Sequence, residues 1–138
     1  MRYMFLIYTQ EDAVARASLE QMQRVYEQHR AVMSEAKALG ILEGAEPLQP
    51  TTTATTVRNR AGKPLTTDGP FAETKEQLAG YYILHCKDLD EAIAWASRIP
   101  TECGGAVGCI EIRPLQWAAA SAGLNPSVQN ASALNAGQ

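Results

Sequence analysis

The apolar positions of this chain change period as they run, from the unbroken or alternating pattern of strands to the three-and-four spacing of helices. Arg2 to Tyr8 is nearly all apolar and rich in β-formers, so it reads as a strand covered on at least one face. Gln10 to Ala17 is a polar connection. Ser18 then stands as a helix N-cap with Gln21 placed to complete a capping box. Leu19, Met22, Val25, Tyr26, Val32, Met33, Ala36 and Leu39 follow at helical spacing, which predicts an amphipathic helix of about six turns closed by Gly40. Ile41-Leu42 begins a short strand toward Pro47, and Thr53 to Arg58 is threonine- and valine-rich. Asn59 to Lys63 is polar, holds a glycine, and turns a hairpin into Pro64-Leu65-Thr66-Thr67. Leu78 to Cys86 is the clearest strand. Asp88 caps a second helix with Glu91 at the capping-box position, Leu89, Ala92, Ile93, Ala96 and Ile99 as its buried stripe, and Pro100 at its end. Gly104-Gly105 is a turn, and Val107 to Ile112 is the last strand, closed by Arg113-Pro114.

This order gives two halves with one helix each. The expected fold class is α+β, a ferredoxin-like split βαβ with a mainly antiparallel sheet and both helices on one face. In strand 78–86, Ala79, Tyr81, Ile83 and His85 share one face, and Leu78, Gly80, Tyr82, Leu84 and Cys86 share the other. Both sets are largely apolar. Helices cover one of them, and leaving the second wet costs about 25 cal/mol per Å² of apolar area. A homodimer packed sheet on sheet is the simplest cover.

At 138 residues the chain is long enough for one core. Its domain is read as residues 1–115, followed by a flexible or partner-draped tail, 116–138, in which Asn, Ser, Ala and Gly dominate. The net charge is −3 with scattered basic residues, which argues against a nucleic-acid stripe or a polybasic membrane patch. No apolar run approaches the ~20 residues of a membrane span, and the apolar N-terminus is too short for a signal peptide. Cys86, Cys103 and Cys109 are odd in number and scattered, so they read as reduced thiols in a cytoplasmic protein.

The chemistry concentrates in Thr67-Asp68-Gly69-Pro70-Phe71-Ala72-Glu73-Thr74-Lys75-Glu76. Asp-Gly-Pro joins a side chain that can bond its own backbone, a residue free to take positive φ, and one with φ locked. The segment is either a turn that presents Asp68, Glu73 and Lys75 in fixed positions or an ordinary structural reversal. His29 lies four residues after Val25 and three before Val32, on the apolar face of the first helix and directed at the sheet. There it is either a satisfied core histidine or a proton-transfer group held by a carboxylate. His85 beside Cys86 reads as packing or edge surface, and no Cys or His has metal-ligand spacing. Tyr81 and Tyr82 point to opposite faces of their strand. No phosphate loop, dinucleotide fingerprint or nucleophile-elbow serine is present, and no cofactor is implied.

The DGPF stretch, with Gln77-Leu78-Ala79-Gly80-Tyr81-Tyr82 after it, resembles the hallmark of the YCII-related proteins of the DGPF type. The opening Met1 to Tyr8, Thr53 to Arg58, Asp88 to Ala92 and Ile110 to Pro114 resemble that family too, so the likeness spans residues 1 to about 115. The resemblance implies a dimeric α/β barrel of ferredoxin-like subunits. It also implies a cleft with a His–Asp pair, carried in this chain by His29 and Asp68, and one relative eliminates chloride from a chlorinated hydroxyquinol. On that reading Asp68 orients His29, which moves a proton on a small cyclic or aromatic substrate in an isomerisation or elimination. Arg58, Lys75, Phe71 and Tyr81 are the candidate substrate contacts, with Gly69 and Pro70 as scaffold. Some DGPF proteins are encoded beside extracytoplasmic-function sigma factors, so the competing reading is a non-catalytic dimer that binds a ligand or a regulatory protein.

Overall fold

A computed structural model describes residues 1–116. Four strands form the main sheet: β1 (Arg2–Thr9), β2 (Leu42–Pro47), β5 (Gln77–His85) and β8 (Cys109–Pro114), in the order β2-β5-β1-β8 with every neighbouring pair antiparallel. With α2 (Leu19–Ala38) and α3 (Leu89–Ala96) as its two long connections, this is the ferredoxin-like α+β arrangement. Two small ribbons are added to it. β3 (Thr55–Arg60) pairs with β4 (Lys63–Asp68), and β6 (Glu102–Cys103) pairs with β7 (Ala106–Val107). Of the tail expected at 116–138, all but Gln116 lies outside the described residues.

Strand alternation sets the core. Tyr3, Phe5 and Ile7 of β1 and Gly80, Tyr82 and Leu84 of β5 are buried on the helix side. Register places Phe5 opposite Tyr82 and Ile112, so the three strands bury one continuous layer. Val32 and Ala36 of α2 and Ala92 and Trp95 of α3 cover it, with Ile99 just beyond the end of α3. Both caps foreseen from the sequence form. Ser18 Oγ accepts from the Gln21 N–H while the Gln21 side chain accepts from the Ser18 N–H, and Asp88 accepts from the Glu91 N–H at 2.9 Å. Gly40 follows α2 with φ +72, the left-handed value a C′ glycine supplies.

Three local expectations are corrected. The connection from Gln10 to Ala17 contains a short helix, α1 (Glu11–Ala15), whose buried Ala13 packs beneath the turn at Gly104. A single turn leaves no readable periodicity, so only its alanines hinted at it. On α3, Leu89 and Ile93 are each 51 % exposed, and Trp95 takes the buried place beside Ala92 and Ile99. The last strand begins at Cys109, because Gly108 breaks it by lying against β1, where a Cβ would come within 1.9 Å of the Tyr8 carbonyl.

Phe5 and Leu84 are the largest fully buried side chains. Phe5→Ala should lower unfolding free energy by about 3–5 kcal/mol, read as a lower denaturant midpoint at unchanged slope.

Candidate functional site

The apolar stripe of α2 is longer than its contact with the core. Its C-terminal half packs on the sheet through Val32 and Ala36. Its N-terminal half carries Met22, Val25 and Tyr26 over the ends of β1, β2 and β5, where the sheet offers Thr9, Ala45, Ala79 and Gly80. Small floor residues leave space under the helix. The result is a cavity of about 390 Å³, lined mainly by apolar side chains and within the size range of small-molecule sites.

Gly80 forms part of the floor because β2 crosses it closely. A Cβ there would lie 2.7 Å from the Glu46 carbonyl. Thr101 and the Glu102 and Cys103 of the β6–β7 ribbon wall one end. Its approach depends on Gly104, which has φ +63 and would bring a Cβ to 1.9 Å from the Ala13 carbonyl.

His29 and Tyr82 meet where core gives way to cavity. His29 Nδ1 and the Tyr82 hydroxyl are 2.6 Å apart, and the rings meet edge to face with centroids 5.8 Å apart. The helix spacing that directed His29 at the sheet is therefore met by the strand alternation that turns Tyr82 toward the helices. Burial acts on both groups. It lowers the imidazole pKa from its ordinary 6.5 and pushes the phenol up to about 12. Near pH 7 the pair is a neutral imidazole bonded to a neutral phenol. Either Tyr82 donates to Nδ1, or Nδ1–H donates to the phenol oxygen and leaves Nε2 with a bare lone pair.

The other residues singled out from the sequence lie elsewhere. Asp68 ends β4 and is exposed. No hydrogen bond joins it to His29 among the described residues, and Tyr82 holds the ring nitrogen that a carboxylate was expected to hold. Arg58 is exposed on β3, and Phe71 and Lys75 are exposed between β4 and β5. Tyr81 is half-buried on the sheet face away from the helices. None of these five lines the cavity. Gly69 has φ +99 and donates its N–H to the Ala54 carbonyl at 2.7 Å, and Thr56 Oγ1 donates to the Gly69 carbonyl at 2.7 Å. With Pro70, Gly69 borders a second, open hollow of about 530 Å³ beside Asp12, Thr51 and Glu73. His85 Nε2 lies 2.8 Å from Glu43 at the sheet edge.

Tyr82, and not the expected Tyr81, lines the cavity; the face it shares with Gly80 and Leu84 is the signal in the sequence that turns it toward the helices. The cysteines are free, and burial is the first cause raising the thiol pKa of Cys86 and Cys109, which disfavours a thiolate nucleophile. No group of three or more His, Cys, Asp or Glu is placed to hold a metal ion among the described residues.

The model of the YCII-related domain matches residues 1–116, the whole of the described fold. The chain belongs to the YCII-related family. It is also 40 % identical over 115 residues to an uncharacterised protein of Rhizobium meliloti (strain 1021), a match covering 83 % of this chain and 92 % of that protein. Among the described residues no helix is long and apolar enough to cross a membrane.

The lowered His29 pKa fixes the sign of a pH effect. Well above pH 6.5 the imidazole is neutral in both folded and unfolded chains, and its titration leaves the stability of the fold unaffected. As pH falls below that value the unfolded chain takes up its proton first, so stability falls until the folded value is passed. Denaturant titrations between about pH 7.5 and pH 5 should show this loss in the native protein and a shallower one in His29→Gln.

Proposed function

We propose that the cleft under α2 binds a small, largely apolar molecule and that His29 moves a proton on it, in a reaction of the isomerase or lyase type. The observation that carries this reading is a half-buried histidine whose Nδ1 lies 2.6 Å from the Tyr82 hydroxyl beside an apolar cavity of about 390 Å³. With Nδ1–H donating to the phenol oxygen, Nε2 is the base. The imidazolium formed on proton uptake keeps its hydrogen bond to Tyr82, which holds the ring while charge develops. Tyr82 thus does the orienting work that a carboxylate does in many histidine sites, without a second buried charge. An apolar, half-enclosed cavity favours proton transfer at carbon by keeping competing water away.

A second reading has its own observation. Met4, Leu6, Tyr8, Tyr81 and Ile83 are all half-buried on the uncovered face of the sheet. At its borders Glu43 joins Arg2 and His85, and Arg113 donates to Glu111 at 2.8 Å. An apolar centre with a polar rim is the anatomy of a protein interface. It supports a homodimer joined sheet to sheet, and it serves equally a non-catalytic dimer that binds ligands or a regulatory partner.

The catalytic reading is tested on a substrate found by screening small cyclic carbonyl and phenolic compounds for turnover. His29→Gln should reduce kcat about 10²- to 10⁴-fold. Tyr82→Phe should reduce it less and shift the limb of the pH profile that reports His29. Full turnover in His29→Gln would end the proposal, and binding without turnover in the native protein would favour the non-catalytic reading. The interface is tested separately: Ile83→Asp should convert a sedimenting dimer to a monomer.

A further inference from the structure

The β3–β4 ribbon stands apart from the rest of the molecule. Every residue of its two strands except Thr56 is exposed, including Val57 and Leu65. A lone two-stranded ribbon is at best marginally stable in water, so this one needs a covering surface. Its base is fixed: the Glu11 carboxylate accepts from the Thr51 N–H and from Thr51 Oγ1, both at 2.7 Å, and Gly69 is bonded to Ala54. The two-residue tip, Ala61-Gly62, has positive φ at both positions, as a tight type I′ turn requires. The ribbon is thus an arm of defined shape, about 20 Å long at the usual rise per strand residue, held at one end.

Its charge is concentrated on one face. Register puts Thr56, Arg58 and Arg60 on one face with Thr67, Leu65 and Lys63, so three cations surround one exposed leucine. No carboxylate pairs with Arg58, Arg60 or Lys63 among the described residues. With Asp68 as its one acid the arm is two charges positive in a chain of net charge −3, so the remainder carries −5. At the rim of the cleft the exposed carboxylates Glu46 and Glu102 outnumber Arg30, the one arginine or lysine in its lining, and they likewise lack an ion-pair partner among the described residues. No residue of the arm lines the cleft of its own chain.

We propose that the arm is a strap between two copies of this chain: the basic face of one copy's β3–β4 ribbon lies on the Glu46–Glu102 rim of the other copy's cleft. The exchange is reciprocal, as twofold symmetry demands. It brings Arg58, which is remote from the cleft of its own chain, to the mouth of the second cleft, where a guanidinium can offset negative charge developing on a ligand. This rests on the sheet-to-sheet dimer proposed above and adds to it a site completed by the second copy.

The test uses the full chain and charge reversal at exposed positions, with circular dichroism to confirm that each variant is folded. Arg58→Glu with Arg60→Glu should raise the dimer dissociation constant at least tenfold in sedimentation equilibrium, and Glu46→Lys with Glu102→Lys should do the same. An equimolar mixture of the two variants should recover heterodimers within threefold of the native affinity, seen by native mass spectrometry. Dimers whose affinity ignores the arm reversals, while Ile83→Asp still separates them, would overturn the strap and leave the sheet interface standing. So would weakening without recovery in the mixture. A native chain that sediments as a monomer at all accessible concentrations would overturn both.

Discussion

The phenol of Tyr82 sits on the floor of the sheet at 4 % exposure, and it cannot be left there without a partner. A buried hydroxyl lacking a hydrogen bond costs about 1–3 kcal/mol, enough to matter in a domain of this size. His29 supplies that partner from α2. The bond fixes the rotation of the helix about its axis, because His29 must face the strand. With that rotation set, Val32 and Ala36 fall on the core, while Met22, Val25 and Tyr26 fall over the small residues at the strand ends. One hydrogen bond thus separates the packed half of the helix from the half that roofs the cleft.

The same bond bears on the protonation of both rings. Burial disfavours charge on either ring, and each ring satisfies the other without becoming charged. A carboxylate in place of Tyr82 would raise the imidazole pKa and keep the ring protonated, which suits an acid more than a base. A phenol leaves the histidine neutral near pH 7 and free to take a proton. The glycines complete the enclosure by backbone proximity: Gly80 admits β2 at the floor, and Gly104 admits the β6–β7 ribbon at the wall. Larger side chains at either place would move the walls before they touched any ligand.

The fold was legible in the sequence because its signals were long and mutually consistent. Two capped helices, a nine-residue strand and the hairpin at Ala61-Gly62 each appear where their patterns put them, and they leave little choice of topology. Short elements were illegible for the opposite reason. Helix α1 has five residues and strands β6 and β7 have two each, too few to show a period. At the site, helical spacing correctly turned His29 toward the sheet, but spacing along one element cannot name a partner on another. The DGPF segment drew attention to Asp68 because turn chemistry is conspicuous in sequence. Tyr82 was inconspicuous because an aromatic residue in a strand reads as packing. What sets it apart is its contact with a side chain 53 positions away.

The most direct measurement is the ¹⁵N spectrum of His29 near pH 6.5, recorded with and without Tyr82→Phe. A neutral imidazole is expected in the native protein, with Nδ1 protonated, Nε2 bare, and the Nδ1 resonance moved when the phenol oxygen is removed. A ring that is positively charged at that pH, or one whose nitrogens are indifferent to Tyr82, would contradict a neutral base held by a phenol.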